Sequence, residues 1–563
     1  MYDKEGNVVN NQNGIANLLN CHFSTIGKNM AEKIPKEAGD PLRYIKHDVT
    51  ALLHMTPTTP DEIMKLIDNL DEKKSAGSDG IPCHLIKLTK LVIAPLLANL
   101  FNACMYHSVF PDAFKIAEVI PLFKGGNMFI LGNYRPISLL PLFGKLFEKV
   151  ISTRLADFLD INNILTARQF GFRKSHSTEL AAVKLYDHFL NKLDKKETTC
   201  SIFLDLAKAF DSVNHQILLA KLYKYNIRGS ALDLFRSYLT NRWQYVKLNN
   251  TKSDMKLIDI GIPQGSILGP LLFLLYINDL PNASNFYVKL FADDTVLSLS
   301  CKSFNELNKT INTEIKKIYD WLVANRLTLN VDKSKFMIIT SKRVPKNKFK
   351  VKINGIPLKR CASYKYLGLH FDENLNWKIH VNYVSKKVSK LCRIMSKLRH
   401  CVNINILKTV YYALGYSYLR YGNIVWGSAA NSVLQPLASL QNRIIRIMTF
   451  APFGKVDLEP VYRDLKILGL PEMHFLEKSK FMHKYHYGKL PVIFNEYFQN
   501  NETISHSYNL RRVNPQRQIL SSYSEKMIKH NGMAIWNTIP NEIKNISNIK
   551  SFSFMLKRDI LLV

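Results

Sequence analysis

The sequence predicts an α+β protein built from more than one domain. Three observations carry this. From about Thr59 to Ser341, short β-like apolar runs alternate with helical segments, the pattern of a mixed domain. Beyond it lies a long helical stretch without acids: after Glu373 the next acidic residue is Asp457. The chain also has 563 residues, more than one simple core accommodates, so two to four domains are expected.

Taken in order, residues 1–58 read as a linker with one amphipathic helix, Ile15 to Ile26, in which Ile15, Leu18, Leu19, Phe23 and Ile26 share a face. Thr59-Pro60-Asp61 is a helix start, and the mixed body is expected over 59–341. Lys342 to Arg360 carries eight basic residues and no acid, and is expected to link that body to the helical region ending near 456. There Val381, Val384, Val388, Leu391, Met395 and Leu398 form an apolar stripe, leaving Lys386, Lys387, Lys390, Arg393 and Lys397 on the other faces. Residues 457–563 have mixed charge and read as a separate helical tail.

The formal net charge is +32 and the pI is near 9.6. So much like charge repels itself unless a polyanion meets it, so nucleic acid is the leading partner and an anionic membrane surface the runner-up. The longest apolar run, Ile267 to Ile277, contains Gly269 and Pro270 and falls short of the roughly 20 residues a membrane helix needs. The eight cysteines are widely spaced with no zinc-ligand pattern, which implies reduced thiols and, with the absent signal-peptide core, an intracellular protein.

Two places carry chemistry. Asp205 ends the apolar run Cys200-Ser201-Ile202-Phe203-Leu204, where an acid is costly unless a cation meets it. Asp293 and Asp294 interrupt two β-like runs, as at a hairpin turn. Adjacent carboxylates repel each other, and a divalent metal removes that conflict. Each alone also fits a strand-end cap or an ordinary acidic turn.

In order, Phe203-Leu204-Asp205-Leu206-Ala207-Lys208-Ala209-Phe210-Asp211, then Gly261-Ile262-Pro263-Gln264-Gly265-Ser266, then Phe291-Ala292-Asp293-Asp294 resemble the central palm motifs of reverse transcriptases. Flanking segments are similar to those of LINE-type (non-LTR, jockey-like) retrotransposons: Ser75-Ala76-Gly77-Ser78-Asp79-Gly80, Asn133-Tyr134-Arg135-Pro136-Ile137-Ser138, Gln169-Phe170-Gly171-Phe172-Arg173, Tyr366-Leu367-Gly368-Leu369 and Tyr421-Gly422-Asn423-Ile424-Val425-Trp426-Gly427.

The resemblance implies a right-hand polymerase: fingers and palm over 59–341, a primer-side hairpin and basic thumb over 342–456, and the tail beyond. It implies an RNA-directed DNA polymerase that extends a primer hydroxyl with deoxynucleoside triphosphates on an RNA template. Asp205, Asp293, Asp294 and the Leu206 carbonyl would hold two Mg²⁺ ions, with Mn²⁺ as a substitute. Lys124 and Arg135 would meet the triphosphate, Phe210 the sugar, and Gln264 and Gly265 the nascent pair. Lys333, with Lys335 as its alternative, would protonate the pyrophosphate, and Lys386, Lys387, Lys390, Arg393 and Lys397 would grip the duplex. Target DNA and a nuclear location are expected as well. The family's endonuclease normally precedes the polymerase, and only the leading segment does so here, so the chain reads as truncated. The alternative is a catalytically idle, co-opted nucleic-acid-binding remnant.

Overall fold

The computed structural model describes residues 1–2, 6–35, 39–46, 49–73, 75–342, 349–452, 454, 457–498 and 521–562. Of the basic segment Lys342 to Arg360, residues 343–348 lie outside the described residues.

Two sheets organise the first two thirds of the chain. The first joins β1 (Ile116–Phe123), β2 (Tyr134–Leu139), β4 (Arg242–Leu248), β5 (Thr251–Lys252) and β6 (Lys256–Ile258). In it β1 pairs antiparallel with β2 and parallel with β4. The second has the order β12-β9-β3-β8-β7, with β3 (Thr198–Leu204), β7 (Tyr287–Phe291), β8 (Asp294–Cys301), β9 (Lys335–Ile339) and β12 (Lys359–Arg360). Two hairpins follow β9: β10 (Lys352–Ile353) with β11 (Ile356–Pro357), and β13 (Ser363–Tyr366) with β14 (Leu369–Asp372).

The period-two alternation of the second sheet divides two cores. Cys200, Ile202, Leu204, Leu290, Leu297, Phe336 and Ile338 face the first, which is filled by helices Lys90–Tyr106, Leu142–Ile161, His215–Lys224, Leu268–Ile277 and Phe304–Ala324. Phe203, Val296, Met337 and Ile339 face the second, with helix Thr178–Asp194 and the helical region beyond Trp377. Every residue of β3 is buried, because both sides of this central strand are covered.

The apolar run at Ile267 is the helix Leu268–Ile277, buried along nearly its whole length. Its first backbone donors are satisfied from outside the helix: the Glu148 carboxylate accepts from the N–H of Ile267 (2.5 Å) and Leu268 (3.1 Å). Among the described residues no helix is long and apolar enough to cross a membrane. All eight cysteines are free.

Two segments are more integrated than their sequence suggests. The leading segment, expected as a linker, holds its amphipathic helix at Gln12–Ala31 and packs it onto the first sheet. Ala16, Leu19, Phe23 and Ile26 meet Ala117, Val119, Leu140 and Val246. Buried Asn20 exchanges hydrogen bonds with Gln244, its Oδ1 accepting from Gln244 Nε2 at 2.9 Å, and its amide donates to the Asp254 carbonyl. The tail, expected to stand apart, shares the second core: Met473, Leu476, Phe481, Trp536 and Phe552 join the cluster of Val381 and Val388. Ser524 Oγ donates to Asp194, and His483 Nε2 lies 2.7 Å from the Ile546 carbonyl.

Candidate active site

Asp205 follows the last residue of β3, where the strand leaves the core. Leu204 pairs with Thr295, so Asp205 emerges beside Asp294, the first residue of β8. Its backbone is held from the other side: its N–H donates to Ser334 Oγ (3.2 Å) and its carbonyl accepts from Asn330 (2.8 Å). Leu206 forms an isolated bridge with Leu329 whose ladder bonds belong to Asp205 and Ala207.

Asp293 sits in the tight turn between β7 and β8, where Phe291 pairs with Asp294 and Ala292 takes φ +53°. A non-glycine residue in that region needs support. Gln169 supplies it, with Oε1 accepting the Ala292 N–H (3.0 Å) and the Gly171 N–H (2.8 Å). A side chain at position 171 would come within 2.3 Å of the Ala292 nitrogen, so only glycine lets the two turns touch.

The three acids act on one another. Burial first, and then the Asp205 charge, push the Asp293 carboxyl upward. Asp294 still reaches solvent, yet its carboxyl is pushed up to about 6, by desolvation and then by Asp293 and Asp205. Negative charge at this turn therefore exceeds what its surroundings balance.

Cations gather on the facing side. Lys333 Nζ is 4.0 Å from Asp205 Oδ2. The Lys124 ammonium is pulled down by burial and then by Arg135, Lys208 and Lys333. The Lys208 ammonium is likewise pulled down by burial, with Asp211 opposing and Arg135 and Lys333 adding to the shift. Lys208 Nζ donates to the Tyr134 carbonyl (3.3 Å). Four cations thus crowd the open side of three acids, an arrangement suited to a polyanion brought to the carboxylates. Lys335, in contrast, lies within β9, paired with Phe203.

Phe210 is half-buried, stacked on Phe273 at 4.5 Å and edge-on to Phe172 at 6.4 Å. Gln264 Nε2 donates to both Asp211 carboxylate oxygens (2.8 and 3.0 Å), and its carbonyl accepts from the Ser138 N–H. Gly265 has φ +124°, and a Cβ there would lie 2.5 Å from the Ser138 carbonyl oxygen, so this loop meets β2 backbone to backbone.

The five cations assigned to duplex binding lie on helix Lys378–Leu398. Lys386, Lys390, Arg393 and Lys397 are exposed and recur at steps of four, three and four, which places them on one stripe. Lys387 lies about 100° around the helix from Lys386. It sits 5.7 Å from the Tyr383 ring, and Lys365 of β13 lies 5.6 Å from the same ring. Tyr364, next to Lys365, stacks on Phe203 at 4.0 Å and feels the charges of Asp294 and Asp205. Lys387 therefore borders the hairpin beside the carboxylates.

Residues 123–371 match the reverse transcriptase (RNA-dependent DNA polymerase) family. The chain carries a reverse transcriptase domain. The matched span encloses every residue expected to bind nucleotide or metal, from Lys124 to Lys333, and excludes the five helix cations. Relatives agree with the resemblance to jockey-like elements. The probable RNA-directed DNA polymerase from transposon BS of Drosophila melanogaster is 28% identical over 84% of this chain and 54% of its own length. The RNA-directed DNA polymerase from mobile element jockey of the same fly is 28% identical over 75% and 47%, and the probable polymerase from transposon X-element 29% over 77% and 48%. The chain spans about half the length of these relatives.

Gln169, Lys208 and Asp211 are functional candidates that sequence reasoning quoted inside motifs without giving them work. Their signal was adjacency alone, since the hydrogen bonds that define them cross between distant segments. Among the described residues no three His, Cys, Asp or Glu side chains form a ready-made metal cage within the reverse transcriptase domain or elsewhere. Hard oxygen donors with unbalanced charge nevertheless suit Mg²⁺, which uses one or two carboxylates and completes its shell from substrate phosphates and water.

Proposed function

We propose that the protein is the RNA-directed DNA polymerase of a LINE-type retrotransposon, extending a DNA primer's 3′ hydroxyl along an RNA template. The observation that carries this is the convergence of Asp205 with the Asp293-Asp294 turn on adjacent strands, opposite Lys124, Arg135, Lys208 and Lys333. In this reading the second sheet is the palm, the first sheet with helix Gln12–Ala31 the fingers, and the helices from Lys378 to Thr449 the thumb.

Asp205 and Asp293, assisted by Asp294 and the Leu206 carbonyl, would hold two Mg²⁺ ions. Such ions, when bound, activate the primer hydroxyl and neutralise charge on the α-phosphate and departing pyrophosphate. Lys124 and Arg135 draw the triphosphate in and hold it, Arg135 with a forked donor set suited to phosphate. Lys333, the cation nearest Asp205, delivers a proton to the leaving pyrophosphate. Phe210, braced by Phe273, supports the sugar and rejects a 2′ hydroxyl. Gln264 and Gly265 line the nascent pair in a loop that Asp211 fixes. The test is primer extension on an RNA template with Mg²⁺ and deoxynucleotides: wild-type protein extends and Asp205→Asn does not. Equal extension by both would overturn the reading.

A further inference from the structure

An open cleft of about 630 Å³ lies between the start of helix Thr178–Asp194, helix Leu470–His486 and the last helix, Ile549–Leu562. None of the residues assigned to catalysis or duplex grip lines it. Arg420, Lys480, Lys484, Lys550 and Lys557 face Glu179 and Glu477 across it, an excess of three positive charges. Both acids are already engaged. Glu477 accepts from Arg420 Nε (2.8 Å) and Lys480 Nζ (2.9 Å), and Glu179 from the Gly422 N–H (2.8 Å). Lys484 and Lys550 have no ion-pair partner among the described residues, and Lys557 Nζ donates only to the Tyr412 hydroxyl there (3.2 Å).

The last helix adds an aromatic. Lys550, Phe554 and Lys557 are spaced four and three apart, so they form one stripe, a ring between two ammonium groups. Phe554 is 62% exposed, and Arg558 lies 6.0 Å from its ring. Across the cleft Lys480 and Lys484 repeat at a step of four on helix Leu470–His486. A flat exposed ring flanked by lysines on two walls is the pairing that nucleobases and phosphodiesters use, stacking on the ring while phosphates meet the cations.

We propose that this cleft binds a single-stranded stretch of nucleic acid, apart from the carboxylate site. A base stacks on Phe554, and neighbouring phosphates meet Lys550, Lys484 and Lys557. The cleft is of small-molecule size, so it admits a nucleotide or two of a strand passing over the surface. A duplex buries its base faces and offers Phe554 nothing to stack on. An acidic peptide would satisfy the lysines but not the ring. RNA and DNA share the recognised chemistry, and the assay separates them.

The experiment uses the full chain carrying Asp205→Asn, so that no polymerisation is involved, with fluorescein-labelled U12 and dT12 read by anisotropy. Phe554→Ala should weaken binding of the preferred strand about tenfold. Lys484→Gln with Lys550→Gln should weaken it further and flatten the log–log salt dependence by about one to two units. All three side chains reach solvent, so melting temperatures should stay within a few degrees. A 4-thiouridine-substituted U12 should crosslink to the peptide containing Phe554. Unchanged affinity and salt slope in both variants, crosslinks confined to residues 123–371, or tighter binding of poly-glutamate than of either oligonucleotide would overturn the proposal. Tighter U12 names RNA as the ligand and tighter dT12 names DNA, and loss of primer extension by wild-type protein would leave the cleft result untouched.

Discussion

Lys221 with Asp279, and Asp205 with the Asp293-Asp294 turn, show how differently one fold treats its charges. The first pair is deep in the core, with side chains 0% and 1% exposed. Every polar atom there has a use: Lys221 Nζ donates to Asp279 Oδ1 (2.5 Å) and the Tyr276 carbonyl (2.6 Å), and Trp321 Nε1 donates to Asp279 Oδ2 (3.1 Å). The rings of Tyr276 and Trp321 lie about the ammonium at 5.2 and 5.1 Å. The second group keeps three acids together at one end of the strands β3 and β8, with cations nearby and one lysine only at the 4.0 Å limit of an ion pair. A satisfied buried pair specifies structure, because removing either partner strands the other. An unsatisfied group at an opening stores affinity for something the chain does not contain.

The largest effects should divide along this line. Asp205→Asn or Asp293→Asn should reduce primer extension on the order of 10⁴-fold, about 5 kcal/mol of barrier, while the melting temperature holds or rises as like charge is removed. Binding to RNA should persist. Extension within tenfold of wild type would break the comparison at the active site.

Asp279→Asn should do the opposite. It leaves the Lys221 charge buried with neutral partners, and breaking such a pair costs about 3–5 kcal/mol. Chemical denaturation should show that loss, and the variant should lose activity only in proportion to its unfolded fraction. A loss under 1 kcal/mol would mean that carbonyl and ring contacts alone suffice for Lys221.

Asp187 tests a case between the two. Its side chain is buried, and its Oδ2 has no hydrogen-bond partner among the described residues. Burial pushes its carboxyl up to about 7, against help from Tyr497, Lys184 and Lys478. A folded pKa above the unfolded value means the folded state holds the proton longer. The associated stability is present below about pH 4 and is lost as pH rises toward 7. Asp187→Asn should flatten that decline and stabilise the protein at pH 8 by roughly 2–4 kcal/mol, read from denaturation at a series of pH values. A steeper decline in the variant would show that Asp187 is a satisfied partner after all.

Phe210 gives a smaller effect. Replacing it with Val should raise ribonucleotide incorporation relative to deoxynucleotide about tenfold, measured as a ratio of kcat/KM values. Loss of the Phe273 stack should cost some stability too. Unchanged discrimination with reduced stability would make Phe210 a core residue only.

The carboxylates were legible in the sequence because their signal is local: an acid closing an apolar strand, and two acids at the turn of a hairpin. Their order along the chain did the rest. The work of Gln169 was not legible, since a carboxamide bridging Ala292 and Gly171 depends on a parallel bridge between Gln169 and Leu290, 121 positions apart. Helix Gln12–Ala31 shows another limit. Periodicity reveals that Leu19 and Phe23 need a partner but not that the partner is Val119 and Val246. Periodicity is equally silent on Gly27 within it, where a Cβ would sit 2.2 Å from the carbonyl oxygen of Asp211, the residue that holds Gln264. The tail failed for the same reason, because its apolar residues could be counted but not assigned to a core shared with Val381.

The helix cations extend the comparison from acids to bases and carry the smallest expected effect. Lys390 is exposed on the stripe with Lys386, Arg393 and Lys397, whereas Lys387 lies by Tyr383 beside the hairpin that reaches toward the carboxylates. If both meet phosphates, each contact releases a condensed counterion, so binding to a primer–template weakens with salt by roughly one log–log unit per contact. Lys387→Gln with Lys390→Gln should flatten that slope by about one to two units, equally for unrelated sequences, since phosphates carry no base information. The buried stripe of Val384, Val388 and Leu391 is untouched, so the helix should stay folded. Processivity should fall more than single-nucleotide incorporation, because the duplex is released sooner while the carboxylate site is intact. Single replacements sharpen this further. A larger slope change from Lys387 than from Lys390 would trace the duplex along the hairpin side, and the reverse would put it along the four-residue stripe. An unaltered slope with full processivity in the double variant would make both lysines solvated surface, and the grip would have to come from other cations.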